Sequence, residues 1–176
     1  ALVSRGLEVM LAVPGDGAPD LDVPVTSYRP AGDALRPLAA GADAVVVGGL
    51  SLARMPFLGE VDRPLAVDLH APFVLENAVA AAAAAPGASG RRRRHAGDVA
   101  AALAQLERGD FFLCASERQR AFWLGMLTAA GRVCPDTVAD DPTLRRLIDV
   151  VPFGVPDAPP RPGAPALRGV VPGIGG

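Results

Sequence analysis

The strongest candidates for chemistry are Asp68 and His70, which lie two residues apart in the segment "AVDLHAPF" (66–73). An imidazole near a carboxylate can carry a proton or hydrogen-bond a sugar hydroxyl. The two residues follow an apolar run and precede Pro72, which suits the first turn of a helix. Their spacing leaves a structural interpretation equally open, in which Asp68 caps that helix and His70 points to solvent.

Gly48 and Gly49 follow another apolar run, in the segment "VVVGGL" (45–50). Glycines after a strand let the backbone approach a ligand closely, as in phosphate-binding turns. The segment is not GxGxxG, and a P-loop lysine is excluded because all 17 basic residues are arginine. A tight turn between a strand and a helix is an equally good interpretation.

The run "RRRRH" (91–95) is the most conspicuous cluster of charge. A patch for nucleic acid or phosphate is one interpretation, but no aromatic side chain is interleaved for base stacking. The preceding "APGASG" favours a solvated loop between two helices, to which His95 also belongs.

Acidic and sulfur side chains do not form a metal-site pattern. Asp140 and Asp141 precede Pro142, which favours helix capping over a pair of catalytic carboxylates. The sequence lacks HExxH, a Cys/His cluster and GxSxG, which argues against a zinc protease, a structural zinc site and an α/β-hydrolase. Cys114 and Cys134 have neither metal-ligand nor disulfide-framework spacing, so we expect reduced thiols, with Cys114 buried. We predict no metal and no cofactor.

A series of short apolar runs has to position these candidates. The runs are "EVMLAV" (8–13), "VPVTSY" (23–28, the weakest), "ADAVVVGG" (42–49), "PLAVDL" (64–69), "DFFLCAS" (110–116) and "IDVVPFG" (148–154). Val-rich runs without polar alternation are typical of strands that are covered on both faces. Because helical stretches separate them, we predict an α/β fold with a doubly wound, mostly parallel, Rossmann-like sheet. In such a sheet ligands bind beyond the carboxyl ends of the strands, where Asp68 and His70 fall.

Capping residues and helix stops predict the helices. We expect a short helix from Asp33 to Gly41, one from Pro72 through the alanines, one from Asp98 to Gly109, and a last one after Asp141. The clearest helix follows Ser116, which forms a capping box with Gln119. Its apolar face carries Phe122, Trp123, Met126, Leu127 and Ala130, and Gly131 provides the C-terminal stop.

Composition is typical of one globular domain. The chain has 176 residues, of which 50% are hydrophobic and 20% charged, enough to bury a substantial core. A net charge of -2 gives no overall attraction to nucleic acid or to an anionic membrane. Since no run reaches the roughly 18–20 apolar residues of a membrane span, and no signal peptide is recognisable, we expect a cytoplasmic protein without a transmembrane segment.

Four segments occur in an informative order. They are "ALVSRGLEVMLAVPG", "AVDLHAPFVLEN", "DFFLCASERQRAFWLGML" and "IDVVPFGVP". Together they resemble the N-terminal domain of a family-4-like glycosyltransferase with the GT-B fold, of the actinobacterial type. The first is similar to that family's first helix end and second strand, with Leu7 in place of the usual histidine. The second is similar to the strand and loop at the interdomain cleft, the third to a strand followed by a Ser-Glu helix start, and the fourth to the element that closes the domain.

The resemblance implies a particular domain organisation and reaction. Residues 1–154 would form a Rossmann-like acceptor-side domain whose first strand is missing, and 155–176 a Pro/Gly-rich interdomain linker to an absent C-terminal donor domain. The enzyme would transfer a sugar from a nucleotide-sugar donor to a sugar, lipid or small-molecule acceptor, with retention and without a metal. The fragment alone would be inactive. Nucleic acid is not an expected partner, whereas peripheral membrane contact is compatible with this class.

The resemblance also implies roles for individual residues. His70 would hydrogen-bond and position the transferred sugar, and Asp68 would orient His70 or bind the acceptor. The other substrate-binding candidates are Gly48, Gly49, Glu76, Asn77, Ser116, Glu117 and Arg120, of which Ser116 also suits a simple helix cap. Two alternatives stay open: a non-catalytic Rossmann-like domain that binds a nucleotide or small ligand, and a truncated reading frame that folds without activity.

Overall fold

The computed structural model describes residues 2–15, 17, 20–29, 34–83, 87–154 and 159. The strands in these ranges are β1 (Leu11–Pro14), β2 (Val25–Tyr28), β3 (Val45–Gly48), β4 (Leu65–Asp68), β5 (Phe111–Cys114) and β6 (Ile148–Val150). The helices are α1 (Arg36–Gly41), α2 (Ser51–Arg54), α3 (Phe73–Ala83), α4 (Ala88–Arg108), α5 (Glu117–Ala129) and α6 (Pro135–Asp140). Short 3-10 helices lie at Val3–Arg5 and Pro56–Gly59.

Strands β3 to β6 form one parallel sheet in the order β3-β4-β5-β6, and β1 and β2 form a separate parallel pair. Parallel neighbours require crossover connections, which α2, the α3–α4 pair and the α5–α6 pair provide between successive strands of the larger sheet. Each strand falls within or next to one of the six apolar runs. The predicted α/β fold with a parallel, Rossmann-like sheet is therefore confirmed.

The core lies between this sheet and its helices. Val67 of β4, Phe112 of β5 and Ile148 of β6 are fully buried and are direct neighbours in the strand register. Trp123 and Leu127 of α5 are fully buried in the same cluster. Complete burial of one such side chain contributes about 1.5–3 kcal/mol to the stability of the fold. These contacts therefore hold β5 between β4 and β6.

Helix α4 begins ten residues earlier than predicted. The expected start was Asp98, but the helix runs from Ala88 to Arg108, so "RRRRH" (91–95) lies inside a helix and the prediction of a loop there is wrong. Arginine is a good helix former, and the helix packs against α3, which outweighs the glycines that suggested a loop. The predicted stop at Gly109 is confirmed.

The last short helix also differs from the prediction. It was expected after Asp141, but α6 precedes that residue, and the segment 142–147 forms turns. Pro135 occupies the first turn of α6, and the Thr137 hydroxyl accepts a hydrogen bond of 2.8 Å from the Cys134 backbone N–H. The carboxylate of Asp141 instead organises the turn that follows.

The remaining helix predictions are confirmed where the structure describes them. Helix α3 directly follows Pro72 and runs to Ala83, and Gly131, with φ +73°, ends the segment after α5. The proposed cap Asp33 and the linker 155–176, apart from Pro159, lie outside the described residues.

Candidate functional site

The four parallel strands place their carboxyl ends along one edge of the sheet. Gly48, the last residue of β3, is paired in register with Asp68, the last residue of β4. A Cβ atom built on Gly48 would lie 3.8 Å from the Cβ atom of Asp68. Because Gly48 has no side chain, the space beside the Asp68 carboxylate is left open on the β3 side.

Asp68 and His70 both lie at this edge, as the sequence predicts. Asp68 is half-buried and His70 is exposed. Neither side chain makes a hydrogen bond or ion pair with another described residue. The interpretation of Asp68 as a helix cap therefore has no hydrogen bond to support it, and both polar groups are available to a ligand.

The backbone between these two residues is held from two directions. The N–H of Leu69 donates a hydrogen bond of 2.8 Å to the carbonyl oxygen of Leu113 in β5. The carbonyl oxygen of Leu69 accepts a hydrogen bond of 3.1 Å from Nε1 of Trp123 in α5. Since the Leu69 side chain is itself buried, Asp68 and His70 are carried by a fixed segment of chain.

Trp123 was predicted from the sequence only as a core residue, and its part in positioning this segment was missed. The signal that could have found it is its chemistry, because a buried indole N–H nearly always needs an acceptor. Which acceptor it finds, 54 residues away along the chain, depends on packing that no local pattern specifies.

The Gly48–Gly49 turn leads directly from β3 into α2. Gly49 has φ +59°, a left-handed conformation that favours glycine. The Ser51 hydroxyl donates a hydrogen bond of 2.7 Å to the carbonyl oxygen of Gly48. Both glycines are exposed, so the tight-turn interpretation fits the geometry and the backbone is also accessible from solvent.

Glu76 and Asn77 lie in the first two turns of α3, beyond the Asp68–His70 segment. Glu76 is exposed, and Asn77 is half-buried. The Glu76 backbone N–H donates a hydrogen bond of 3.2 Å to the carbonyl oxygen of Pro72, which begins the helical ladder. Neither side chain has a polar partner among the described residues, and their role on the acceptor side stays a prediction.

Ser116 caps α5, as predicted. Its hydroxyl accepts a hydrogen bond of 3.3 Å from the Gln119 backbone N–H. The Gln119 side-chain oxygen accepts a hydrogen bond of 2.8 Å from the Ala115 N–H, one residue before the cap, and not from the Ser116 N–H, so the predicted capping box is only half formed. The hydroxyl of Ser116 therefore already satisfies one of the free N–H groups at the start of the helix.

Arg120 and Glu117 are engaged with other parts of the chain. Nε of Arg120 donates a hydrogen bond of 2.9 Å to the carbonyl oxygen of Ile148, and its guanidinium also contacts the carbonyl of Thr143. Glu117 pairs with Arg145, which in turn pairs with Asp149. These bonds hold the start of α5 to β6, and the substrate-binding role of this group stays a prediction.

The two cysteines are free thiols in different environments. Cys114 is buried, as predicted, and burial raises its pKa. Cys134 is half-buried, and hydrogen bonds from Thr137 lower its pKa. Within the described ranges, no three His, Cys, Asp or Glu side chains gather in a way that could hold a metal ion. Nor is any described helix both long enough and apolar enough to span a membrane.

The carboxyl ends of the strands therefore offer three groups to a ligand: an accessible carboxylate, an accessible imidazole and an exposed diglycine turn. Together they can accept and donate hydrogen bonds to a polyhydroxylated ligand and can move a proton. The chain matches no protein-family model, no curated protein and no solved structure.

Proposed function

We propose that this chain is the acceptor-side domain of a glycosyltransferase that moves a sugar from a nucleotide-sugar to an acceptor. The observation that carries the proposal is the pair Asp68 and His70, which have no polar partner among the described residues and stand on a fixed backbone at the carboxyl edge of a parallel sheet. Ligands of open α/β sheets bind at that edge. Sugars are recognised by such carboxylate and imidazole groups, because each hydroxyl both donates and accepts.

In this proposal His70 hydrogen-bonds a hydroxyl of the transferred sugar, and Asp68 accepts from the acceptor or from the imidazole. The open flank at Gly48 leaves room for a ring beside the carboxylate. Stabilisation of the charge on the leaving diphosphate falls to groups outside this chain, as the resemblance to GT-B enzymes implies. The proposed transfer proceeds with retention and without a metal.

The test measures transfer from nucleotide-linked hexoses by the full-length natural protein and two variants, His70→Ala and Asp68→Asn. We expect each variant to lower turnover at least about tenfold while the melting temperature stays unchanged, because neither side chain bonds to any part of the chain that the structure describes. His95→Ala is the matched control, since His95 is the chain's other histidine and is exposed in α4. Turnover that stays normal in both site variants would refute the proposal.

A second candidate is a Rossmann-like domain that binds a nucleotide or small ligand without catalysis. It is favoured by the engagement of Ser116, Glu117 and Arg120 in internal bonds, which leaves few free groups at the edge for chemistry. The two candidates differ in where nucleotide affinity lies. Nucleotide binding by the 176-residue chain alone, combined with the absence of transfer by the full-length protein, would favour the second.

A further inference from the structure

Helices α3 and α4 form a hairpin, and its tip, defined as residues 75–83 and 88–97, contains one buried residue, Ala81, which lies outside the main core cluster. The two helices pack against each other and are joined by only four residues (84–87), so they run antiparallel. The buried residues of α4 all lie in its second half, at Ala102, Gln105 and Leu106. No residue from 88 to 97 is buried.

The tip carries concentrated positive charge. Four consecutive arginines occupy positions 91–94, and the one acidic residue among 75–83 and 88–97 is Glu76, next to Leu75. Arg92, Arg93 and Arg94 are exposed, and none of the three forms an ion pair with a described residue. The first turn of α4 has no acidic residue, so the positive end of the helix dipole adds to the charge of the arginines. An anion would relieve this repulsion.

The neighbouring helix also exposes apolar side chains. Leu75 and Val79 are one helical turn apart on the outer side of α3 and are 52% and 72% exposed. Val79 lies four residues before the end of α3, and Arg92 lies four residues after the start of α4. In an antiparallel hairpin these two positions are level with each other. The tip therefore carries exposed apolar and exposed cationic groups at the same level of the hairpin.

This combination fits one kind of polyanion better than others. A surface that binds single-stranded nucleic acid stacks bases on aromatic rings, and residues 74–97 contain no Phe, Tyr or Trp, with His95 as the one aromatic ring there. A lipid interface takes apolar side chains into the boundary between headgroups and acyl chains, while arginines meet the phosphates. Both kinds of group are present here and are exposed.

We infer that the tip of the α3–α4 hairpin docks on an anionic phospholipid surface, with Arg92, Arg93 and Arg94 at the phosphates and Leu75 and Val79 at the apolar boundary. The surface includes none of the carboxyl-edge groups Asp68, His70 and Gly48. The inference is independent of the proposed sugar transfer.

The test is co-sedimentation of the chain with vesicles of phosphatidylcholine alone and of phosphatidylcholine mixed with phosphatidylglycerol. We expect binding to the mixed vesicles that is about tenfold tighter or more than to phosphatidylcholine and that weakens with salt. The triple variant Arg92→Gln, Arg93→Gln, Arg94→Gln should lose this binding. The matched control, Arg5→Gln, Arg54→Gln, Arg118→Gln, removes the same charge from exposed arginines elsewhere and should retain it.

Two further arms identify the source of the phosphate and the part played by the apolar groups. Val79→Ser should weaken vesicle binding, whereas excess soluble glycerophosphate should not displace the chain. Circular dichroism checks that each variant is folded, which is expected because glutamine suits an exposed helix. Equal binding to neutral vesicles, an unaffected arginine variant, displacement by glycerophosphate, or tighter binding to single-stranded RNA than to mixed vesicles would each overturn the inference.

Discussion

The indole N–H of Trp123 donates a hydrogen bond of 3.1 Å to the carbonyl oxygen of Leu69, the residue between Asp68 and His70. The indole ring is fully buried and packs edge-on against Phe122, at 4.9 Å between ring centroids. It also lies 6.2 Å from the ring of Phe73, the first residue of α3. One side chain thus connects α5, the candidate site segment and the helix that follows it.

Trp123→Phe should destabilise the fold and loosen the site segment. The smaller ring leaves a cavity, and the buried Leu69 carbonyl loses its side-chain donor. We expect a loss of about 3 kcal/mol in the free energy of unfolding, measured by urea denaturation. Hydrogen exchange of the His70 amide should accelerate more than exchange in β6, because the lost bond restrains the Leu69–His70 peptide.

A tryptophan analogue separates the hydrogen bond from the volume. In 3-benzothienylalanine, sulfur replaces the indole N–H, so the ring shape is kept and the donor is removed. We expect this substitution at position 123 to cost about 1–2 kcal/mol. Wild-type stability and unchanged exchange at His70 in the analogue would show that the bond does not restrain the segment.

The strands could be predicted from the sequence because their signal is local. Continuous apolar runs such as 45–48 and 65–68 have few other solutions in a chain that also contains helices. The start of α4 could not be predicted from the sequence, because the local composition around Gly87 and Gly90 is typical of a loop. There the packing of a 21-residue helix against α3 outweighs local preference.

In the candidate site, too, features with a local signal could be predicted and features set by tertiary contacts could not. The position of Asp68 and His70 follows from the end of one apolar run, so the sequence predicts it. The partners of Arg120 do not follow from any spacing, because Thr143 and Ile148 lie 23 and 28 residues further along the chain. The sequence predicts which edge of the sheet carries the polar groups. It does not predict which of these groups form hydrogen bonds or ion pairs within the protein.

Replacing Gln105 with an apolar residue should stabilise the protein. Gln105 is 1% exposed in α4, and its Oε1 has no hydrogen-bond partner among the described residues. Gln105→Met keeps the side-chain length, removes the unsatisfied oxygen and gives up only the long bond of 3.3 Å from Nε2 to the Ala101 carbonyl oxygen, so we expect a gain of about 1 kcal/mol and a melting temperature about 2–4 °C higher. Calorimetry measures both.

Gln119→Met is the matched control for that change. The same amide is removed, but here Oε1 accepts a hydrogen bond of 2.8 Å from the Ala115 N–H. The control should therefore lower stability, by about 1 kcal/mol. If both substitutions shift the melting temperature in the same direction, the unsatisfied oxygen of Gln105 is not the cause.

Gly109→Ala should be strongly destabilising. A Cβ atom there would lie 2.6 Å from Cε1 of Phe112 and 2.8 Å from Cγ2 of Val67, both of which are fully buried. We expect the free energy of unfolding, measured by chemical denaturation, to fall by about 3 kcal/mol, since neither neighbour can move without disturbing the core.

Gly97→Ala is the control. It lies in the exposed part of α4 with no atom within 4 Å of the new Cβ, and should raise the free energy of unfolding by about 0.5–1 kcal/mol. Equal effects of the two substitutions would contradict the close approach at Gly109.

The turn after α6 should make stability depend on pH in the acid range. The Asp141 carboxylate accepts hydrogen bonds from the Thr143 hydroxyl at 2.6 Å and from the backbone N–H of Arg146 at 2.8 Å. These bonds, chiefly that of Thr143, lower the pKa of Asp141 to about 2. Because the folded-state pKa lies below the unfolded value, the stabilisation is complete above about pH 4 and is lost as the pH falls toward 2.

Asp141→Asn should remove that contribution. The stability difference between wild type and variant, measured by urea denaturation at a series of pH values, should be constant near neutrality and shrink between about pH 4 and pH 2. Both proteins contain a second acid-sensitive group, Asp149, because the bond from the Val150 N–H and the contact with Arg145 lower the pKa of its carboxyl. The stability of the Asp141→Asn variant should therefore still fall with pH, although less steeply than that of the wild type.

Asp140→Asn is the control for this change. It removes a carboxylate bound to Arg146 at 2.9 Å and should leave the Asp141 contribution in place. Curves for wild type and Asp141→Asn that stay parallel down to pH 2 would mean that the turn does not hold its carboxylate in the charged form.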